Sequence, residues 1–271
     1  MTPSDIAPEN TRDLALLEER RQGLACSELS LESERIAGGW ANYSGPGAWL
    51  NEACALGLEG PVTADDVAQL IEFYASRGAP AKVDLCPYAH ETLAAELAAA
   101  GFVLAAFRHV LMRLLGDDVA SATRTVDGID IRIVDPSDAQ EVDAYIRVAT
   151  SGFLRGEPLS KENRAFLERT LVHPRHVHFL ASVDGVSAGG GGLEVTPDLA
   201  CLFGASVLPT FQRRGIQGAL IRARLTEAAR RGAPRAIIQS TPGIPTERNA
   251  GRAGFRVAYT KAEMVRPAGA A

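Results

Sequence analysis

The run "SVLPTFQRRGIQGALIRARL" (Ser206–Leu225) sets two arginines and two glycines where an apolar, strand-like stretch turns at a proline into a helix. Ile216, Leu220 and Ala223 fall on one side of that helix, with Ile221, Leu225 and Ala228 adjoining. Such a broad apolar stripe suits packing on a sheet. Glycine inside a helix costs about 1 kcal/mol against alanine, so Gly215 and Gly218 need a reason other than helix formation. The first N–H groups of a helix have no internal partners and carry partial positive charge. Bare backbone at the two glycines lets a bulky anion reach them. Arg213 and Arg214 add charge that does not titrate near neutrality. The chemistry this supports is the cradling of a pyrophosphate. The run lacks G-K-[S/T], which disfavours a nucleotide-hydrolysing P-loop. It also lacks G-x-G-x-x-G and lies deep in the chain after antiparallel-looking strands, which disfavours a dinucleotide-binding fold.

The elements that must position this turn occur twice. "RGAP" closes a helix-like segment at Arg77–Pro80 and again at Arg231–Pro234. Each copy leads into a short apolar strand, "AKVDLCP" or "RAIIQST", and then a helical stretch ending in Ala-Gly-Phe at Ala100–Phe102 or Ala253–Phe255. The last strands run in step, "FVLAAFRHVLMR" beside "FRVAYTKAEMVR". Two related αβ halves follow. The second reads as strand 129–134, helix 136–151, helix 161–172, a hairpin of strands 177–183 and 186–194 around Asp184–Gly185, strand 200–208, the quoted turn and helix, strand 236–240, helix 246–253 and a strand from Phe255. The first opens with a helix from about Thr11 to Ala25, then strands near Trp40 and Cys54. The polar stretch 114–128 suits a linker.

With these elements in place, "SVLPTFQRRGIQGALIRARL", "TERNAGRAGF" and the late "AYTK" resemble the GNAT acetyltransferase superfamily over residues 129–265. The two-half organisation resembles tandem GNAT proteins with a diverged first copy. The resemblance implies an α/β fold of tandem GNAT-like domains, each a mixed, mostly antiparallel sheet flanked by helices. The divisions are residues 1–116 for the half without the loop, 117–128 for the linker, and 129–271 for the acetyltransferase domain. It further implies that Gln212, Arg213, Arg214, Gly215, Ile216, Gln217, Gly218 and Ala219 hold the coenzyme A pyrophosphate through backbone N–H groups. Gln217 stands where the family has a small residue, with Gly218 one place later. Ala205, Ser206 and Val207 would line the thioester, and Asn249 would lie near the pantetheine arm. The implied activity is transfer of an acetyl group from acetyl-CoA, as acyl-donor substrate and without a metal, to an amine, most simply of a small molecule. A non-catalytic acyl-CoA-binding or sensing protein is the alternative, and a longer acyl donor is a third reading.

Proton-transfer residues are less marked. The position four before Gly254, where many GNAT enzymes carry a tyrosine, is Ala250. Tyr259 on the next strand is a candidate acid, or a core tyrosine. Glu194, ending a strand, is a candidate base through water, or a solvated strand end. His173, His176 and His178 in "HPRHVHF" lack a neighbouring Cys or acid to complete a metal site. "GGGG" at Gly189–Gly192 offers room for a ligand, or marks a loosely packed strand. "WANYSGPGAWLN" (Trp40–Asn51) lines an acceptor pocket, or a core beside a loop. The turn of the first half, "LEGPVTADDVAQL", lacks the glycines and arginines, and Asp65 and Asp66 would repel a pyrophosphate. Only the second half is therefore expected to bind coenzyme A.

The totals agree. Net charge is −5 over 271 residues, which argues against a general nucleic-acid binder. Residues 1–116 hold 8 Lys and Arg against 16 Asp and Glu, whereas 117–271 hold 20 against 17, so an anion suits the second half better. The N-terminus does not read as a signal peptide, no apolar run approaches the roughly 18 residues of a membrane span, and four scattered cysteines suit a reducing compartment. A cytoplasmic protein with no nucleic-acid or membrane partner is expected. The sequence carries no indication of oligomeric state.

Overall fold

In the computed structural model, residues 8–116, 119, 128–154 and 156–267 are described. Apart from Val119 and Gly128, the expected linker 117–128 lies outside them. The chain runs α1 (Pro8–Leu29), β1 (Glu32–Ile36), β2 (Gly39–Tyr43), β3 (Ala53–Cys54), α2 (Ala64–Ala75), β4 (Lys82–Leu85), α3 (Glu91–Ala99) and β5 (Val103–Leu114). It continues with β6 (Ile129–Ile133), α4 (Ala139–Thr150), α5 (Lys161–Val172), β7 (His176–Val183), β8 (Val186–Val195) and β9 (Ala200–Val207). A 3-10 turn at Pro209–Phe211 leads to α6 (Ile216–Arg230), β10 (Arg235–Ser240), α7 (Pro245–Arg252) and β11 (Arg256–Val265).

The repeat is visible in hydrogen bonds as well as letters. After α2, Gly78 N–H donates to Ala75 and Ala79 N–H to Tyr74; after α6, Gly232 donates to Ala229 and Ala233 to Ala228. This paired pattern closes a helix with its last carbonyls satisfied. The Ala-Gly-Phe ends repeat it. Phe102 donates to Leu97 and Phe255 to Ala250, and both phenylalanines enter cores.

The chain forms two compact units, residues 1–110 with 258–271, and residues 111–257. This differs from a linear division, because the last strand of each repeat is built into the sheet of the other unit. From Ala262 to Val265, β11 pairs antiparallel with Leu85 to Lys82 of β4 in the first unit. The end of β5 neighbours β10 in the second unit, where Leu111 joins the core.

In the first unit the strand order is β1-β2-β3-β4-β11-β5. Val67, Leu70 and Phe73 of α2 and Leu93 and Leu97 of α3 pack around Val83. In the second unit the order is β5-β10-β9-β8-β7-β6. There, β6 to β9 are antiparallel neighbours and β9–β10 is parallel. Ile216, Leu220, Ile221 and Leu225 of α6 bury against Leu193, Leu202 and Ile238. Tyr145, Val148 and Ala149 of α4 cluster with Leu180 of β7. Truncating a fully buried leucine such as Leu220 costs roughly 2–5 kcal/mol.

Candidate active site

The turn between β9 and α6 is built around two left-handed residues. Arg213 has φ 63°, and Gly215, the residue that caps α6, has φ 84° and ψ −1°. At Gly215 an L-residue would be strained, and a Cβ there would point into open space with nothing within 4 Å. No side chain caps the N-terminus of α6, so its first N–H groups stay available. Gln212, Arg213, Arg214 and Gly215 are exposed, whereas Ile216 and Ala219 turn inward and anchor the helix. Among the described residues neither Arg213 nor Arg214 forms an ion pair, although the Arg214 guanidinium lies 5.3 Å over the Phe211 ring. Two unneutralised guanidinium groups thus flank an uncapped helix start. Such an arrangement suits a diphosphate.

Beside the turn the sheet opens. The parallel pairing of β9 with β10 joins Ala200–Leu202 to Ala236–Ile238 and does not extend to Ala205–Val207. In the same stretch β9 carries a bulge. Between Gly192↔Phe203 and Gly190↔Ser206, β8 advances two residues and β9 three. The extra residue is accommodated at Gly204, whose φ is 55°. Ala205, Ser206 and Val207 follow the bulge. The Ser206 hydroxyl accepts from the Gly152 N–H at 2.8 Å and lies 3.0 Å from the Ser151 hydroxyl, tying the end of α4 to β9.

Asn249 on α7 is brought to the start of α6. Its amide donates to the Gln217 side chain, and Gln217 in turn donates to the Thr246 hydroxyl at 3.1 Å. Gln217 is therefore turned toward α7, which explains how a long residue occupies a position where the resemblance calls for a small one.

The first unit supplies the contrast. Thr63 caps α2, its hydroxyl accepting from the Asp66 N–H while the Asp66 carboxylate accepts from the Thr63 N–H at 2.8 Å. This capping box takes up the Asp66 N–H and adds negative charge with Asp65 beside it. The helix start is capped by a side chain and carries two carboxylates that oppose an anion.

The expected proton-transfer residues are committed elsewhere. Tyr259 lies in the first unit, buried, with its hydroxyl donating to Glu19 at 2.7 Å. Burial, then the charge of Glu19, pushes its phenol far above the usual range. Glu19 also meets the fully buried Lys261 ammonium at 3.0 Å, so the tyrosine belongs to an internal ion network. Glu194 is not a solvated strand end. It is buried and pairs with Arg175 at 3.0 Å. Its β9 partner is Cys201, six residues before Val207, or about 20 Å of strand from the turn. Ala250 is fully buried.

The remaining motifs resolve as packing. His178 bridges the Tyr145 hydroxyl at 2.8 Å and the Thr170 carbonyl at 2.9 Å, and His173 and His176 stack with ring centroids 4.5 Å apart. The four glycines open alternate faces of β8. A Cβ at Gly190 would meet Tyr145 at 3.1 Å and one at Gly192 would meet Phe203 at 2.5 Å. On the α6 face, a Cβ at Gly189 would meet Ile216 at 3.3 Å and one at Gly191 would meet Arg224 at 3.0 Å. Of the two readings of the four glycines, room for a ligand or a loosely packed strand, neither holds: protein side chains take the room. In the first unit, Trp40 belongs to β2 and lies against the Arg35 guanidinium, while Asn51 ties Ser44 to Gly45 and closes the following turn on itself. Sequence reasoning missed Arg224, hidden in an apolar helix stripe, and the Ser151–Gly152 contact to Ser206. The run of four glycines was the available signal for the first.

Residues 143–255 match the model of the acetyltransferase (GNAT) family. A GCN5-related N-acetyltransferase from Kribbella flavida aligns over 96% of this chain and 96% of its own, at 17% identity and TM-score 0.68. A tandem GNAT protein from the clavulanic acid biosynthesis pathway covers 96% and 95% at 13% identity and TM-score 0.59. A putative GNAT-family acetyltransferase from Novosphingobium aromaticivorans covers 91% and 95% at 17% identity and TM-score 0.55. At these identities the likeness shows the fold. No curated protein matches the chain.

Proposed function

We propose that the chain, whose residues 143–255 match the GNAT acetyltransferase family, is an N-acetyltransferase moving an acetyl group from acetyl-CoA to the amine of a small molecule. The observation that supports this most is the uncapped start of α6 flanked by Arg213 and Arg214, neither with an acidic partner among the described residues. In this reading the backbone from Gly215 to Ala219 binds the diphosphate, with the two guanidinium groups closing over it. Gln212 lines the approach, and the gap between β9 and β10 takes the pantetheine arm past Asn249. Acetyl-CoA supplies an activated thioester. Ala205, Ser206 and Val207 hold its carbonyl against backbone donors of the bulged strand, which stabilise charge developing on oxygen. With Ala250, Glu194 and Tyr259 all unsuited to proton transfer, the amine arrives neutral from solvent, forms the N–C bond as the C–S bond breaks, and the proton it loses goes to the departing coenzyme A thiolate, so catalysis rests on positioning and polarisation. No helix among the described residues is long and apolar enough to cross a membrane, and four buried free thiols suit a reducing, cytosolic setting.

The same commitments of Tyr259 and Glu194 favour a second reading, a non-catalytic acyl-CoA-binding or sensing protein. Thiol release from acetyl-CoA across a panel of amines, run beside calorimetric binding of coenzyme A, separates the two. Turnover with any amine supports the enzyme. Binding with no turnover across the panel supports the sensor, and the lack of any binding removes both.

A further inference from the structure

Arg224 is fully buried on α6, and it has no carboxylate partner among the described residues. An isolated buried charge is costly, so its surroundings must hold it with dipoles. Its Nε donates to the Leu220 carbonyl at 3.0 Å. Its Nη1 reaches two backbone carbonyls, Gly192 of β8 at 3.2 Å and Phe203 of β9 at 3.4 Å. Its Nη2 has no hydrogen-bond partner. Gly191 makes this possible, since a Cβ there would lie 3.0 Å from both Cζ and Nη1.

Phe203 is the last residue before the bulge. Its carbonyl faces Arg224 on the side of β8, because the same nitrogen also holds the Gly192 carbonyl. No peptide in the described chain is cis, so the N–H of Gly204 points the opposite way, toward β10. There the β9–β10 pairing has already ended at Leu202 with Ile238. The peptide between Phe203 and Gly204 thus has its oxygen on a buried cation and its N–H toward the β10 side, past the last paired residues. Donation to a carbonyl oxygen polarises the whole amide and strengthens its N–H as a donor.

We propose that Arg224 is a positioning residue for acyl transfer: it fixes the β9 bulge through the Phe203 and Gly192 carbonyls and polarises the Phe203–Gly204 peptide, whose N–H is aimed at the thioester carbonyl. The proposal rests on the acyl-CoA reading above. One helix then serves the acyl donor twice, at its N-terminus through the diphosphate and eight residues on, about 12 Å along the axis, through Arg224.

The test is isotope-edited infrared spectroscopy of acetyl-CoA carrying a carbon-13 carbonyl, bound to the full chain. Wild type is expected to shift the carbonyl stretch to lower frequency on binding. Arg224→Met loses that shift while keeping its calorimetric affinity for coenzyme A, and Arg224→Lys restores part of it. A purely structural role would lower the melting temperature of Arg224→Met and leave the shift in place. Should Arg224→Met not fold, Gly191→Ala displaces the guanidinium with its charge intact and loses the same shift. An equal shift in wild type and variant overturns the proposal. Wild type that binds acetyl-CoA without any shift also overturns it and leaves the binding site standing. Wild type that does not bind acetyl-CoA overturns both.

Discussion

Replacing Gly215 by glutamate isolates the anion cradle from the fold. Gly215 sits at φ 84°, where an L-residue costs roughly 1–2 kcal/mol. A Cβ meets nothing within 4 Å, so no clash is added, and an acid at a helix start returns about 0.3–1 kcal/mol. The net loss of stability is about 1 kcal/mol, a fall in Tm of about 2–4 °C for a chain of this size. Binding is affected far more. A carboxylate about 6 Å from a phosphate charge opposes it by roughly 0.7 kcal/mol at the dielectric of water and about 3 kcal/mol at an effective value of 20. With about two charges on the diphosphate, Gly215→Glu weakens coenzyme A binding from about tenfold to more than a thousandfold. Calorimetry with coenzyme A at low and at high salt measures this. The defect shrinks at about 1 M salt, where screening acts within about 3 Å. A folded Gly215→Glu protein with unchanged Kd would refute the cradle.

Arg213→Ala with Arg214→Ala is expected to weaken coenzyme A binding by about 1.5–3 kcal/mol per lost charge-assisted contact and flatten its salt dependence, with Tm unmoved because both side chains are exposed; calorimetry and thermal melts check this. Thr63→Ala removes the capping box of α2 and costs about 1 kcal/mol of stability in urea unfolding, with coenzyme A affinity unchanged. Tyr259→Phe leaves Glu19 paired with Lys261 and costs about 1–2 kcal/mol of stability, while acyl transfer proceeds at the wild-type rate; a collapse of rate at unchanged stability would return the tyrosine to the chemistry. Burial holds His176 down to about 3 and His178 down to about 4. The unfolded imidazoles take up protons below about pH 6.5 and the folded ones do not, so stability is full above that pH and falls toward pH 4. Urea midpoints at pH 7 and pH 5 should therefore separate more in wild type than in His178→Gln.

Local pattern determined much of this protein. The apolar period of α6, the Gly-Ala-Pro and Gly-Phe punctuation of both repeats and the turn at Asp184–Gly185 are short-range signals, and each element formed within a few residues of where the letters put it. The glycines and arginines of Gln212–Ala219 were legible for the same reason, since a helix start is satisfied or left open by its immediate neighbours. Capping by Thr63 and Asp66 in one copy, and its lack at Gly215 in the other, likewise follows from residues three apart. Only the tertiary structure decided what depends on partners far along the chain. Whether Tyr259 was an acid or a core residue, and Glu194 a base or a solvated strand end, stayed open until folding placed Glu19 and Arg175 against them, 240 and 19 residues away. The four glycines read equally as ligand space or a loosely packed strand until α4 and α6 filled both faces with Tyr145 and Arg224. The exchange of the last strands was equally hidden, because a β-strand records in its own sequence that it will pair and leaves open with which strand.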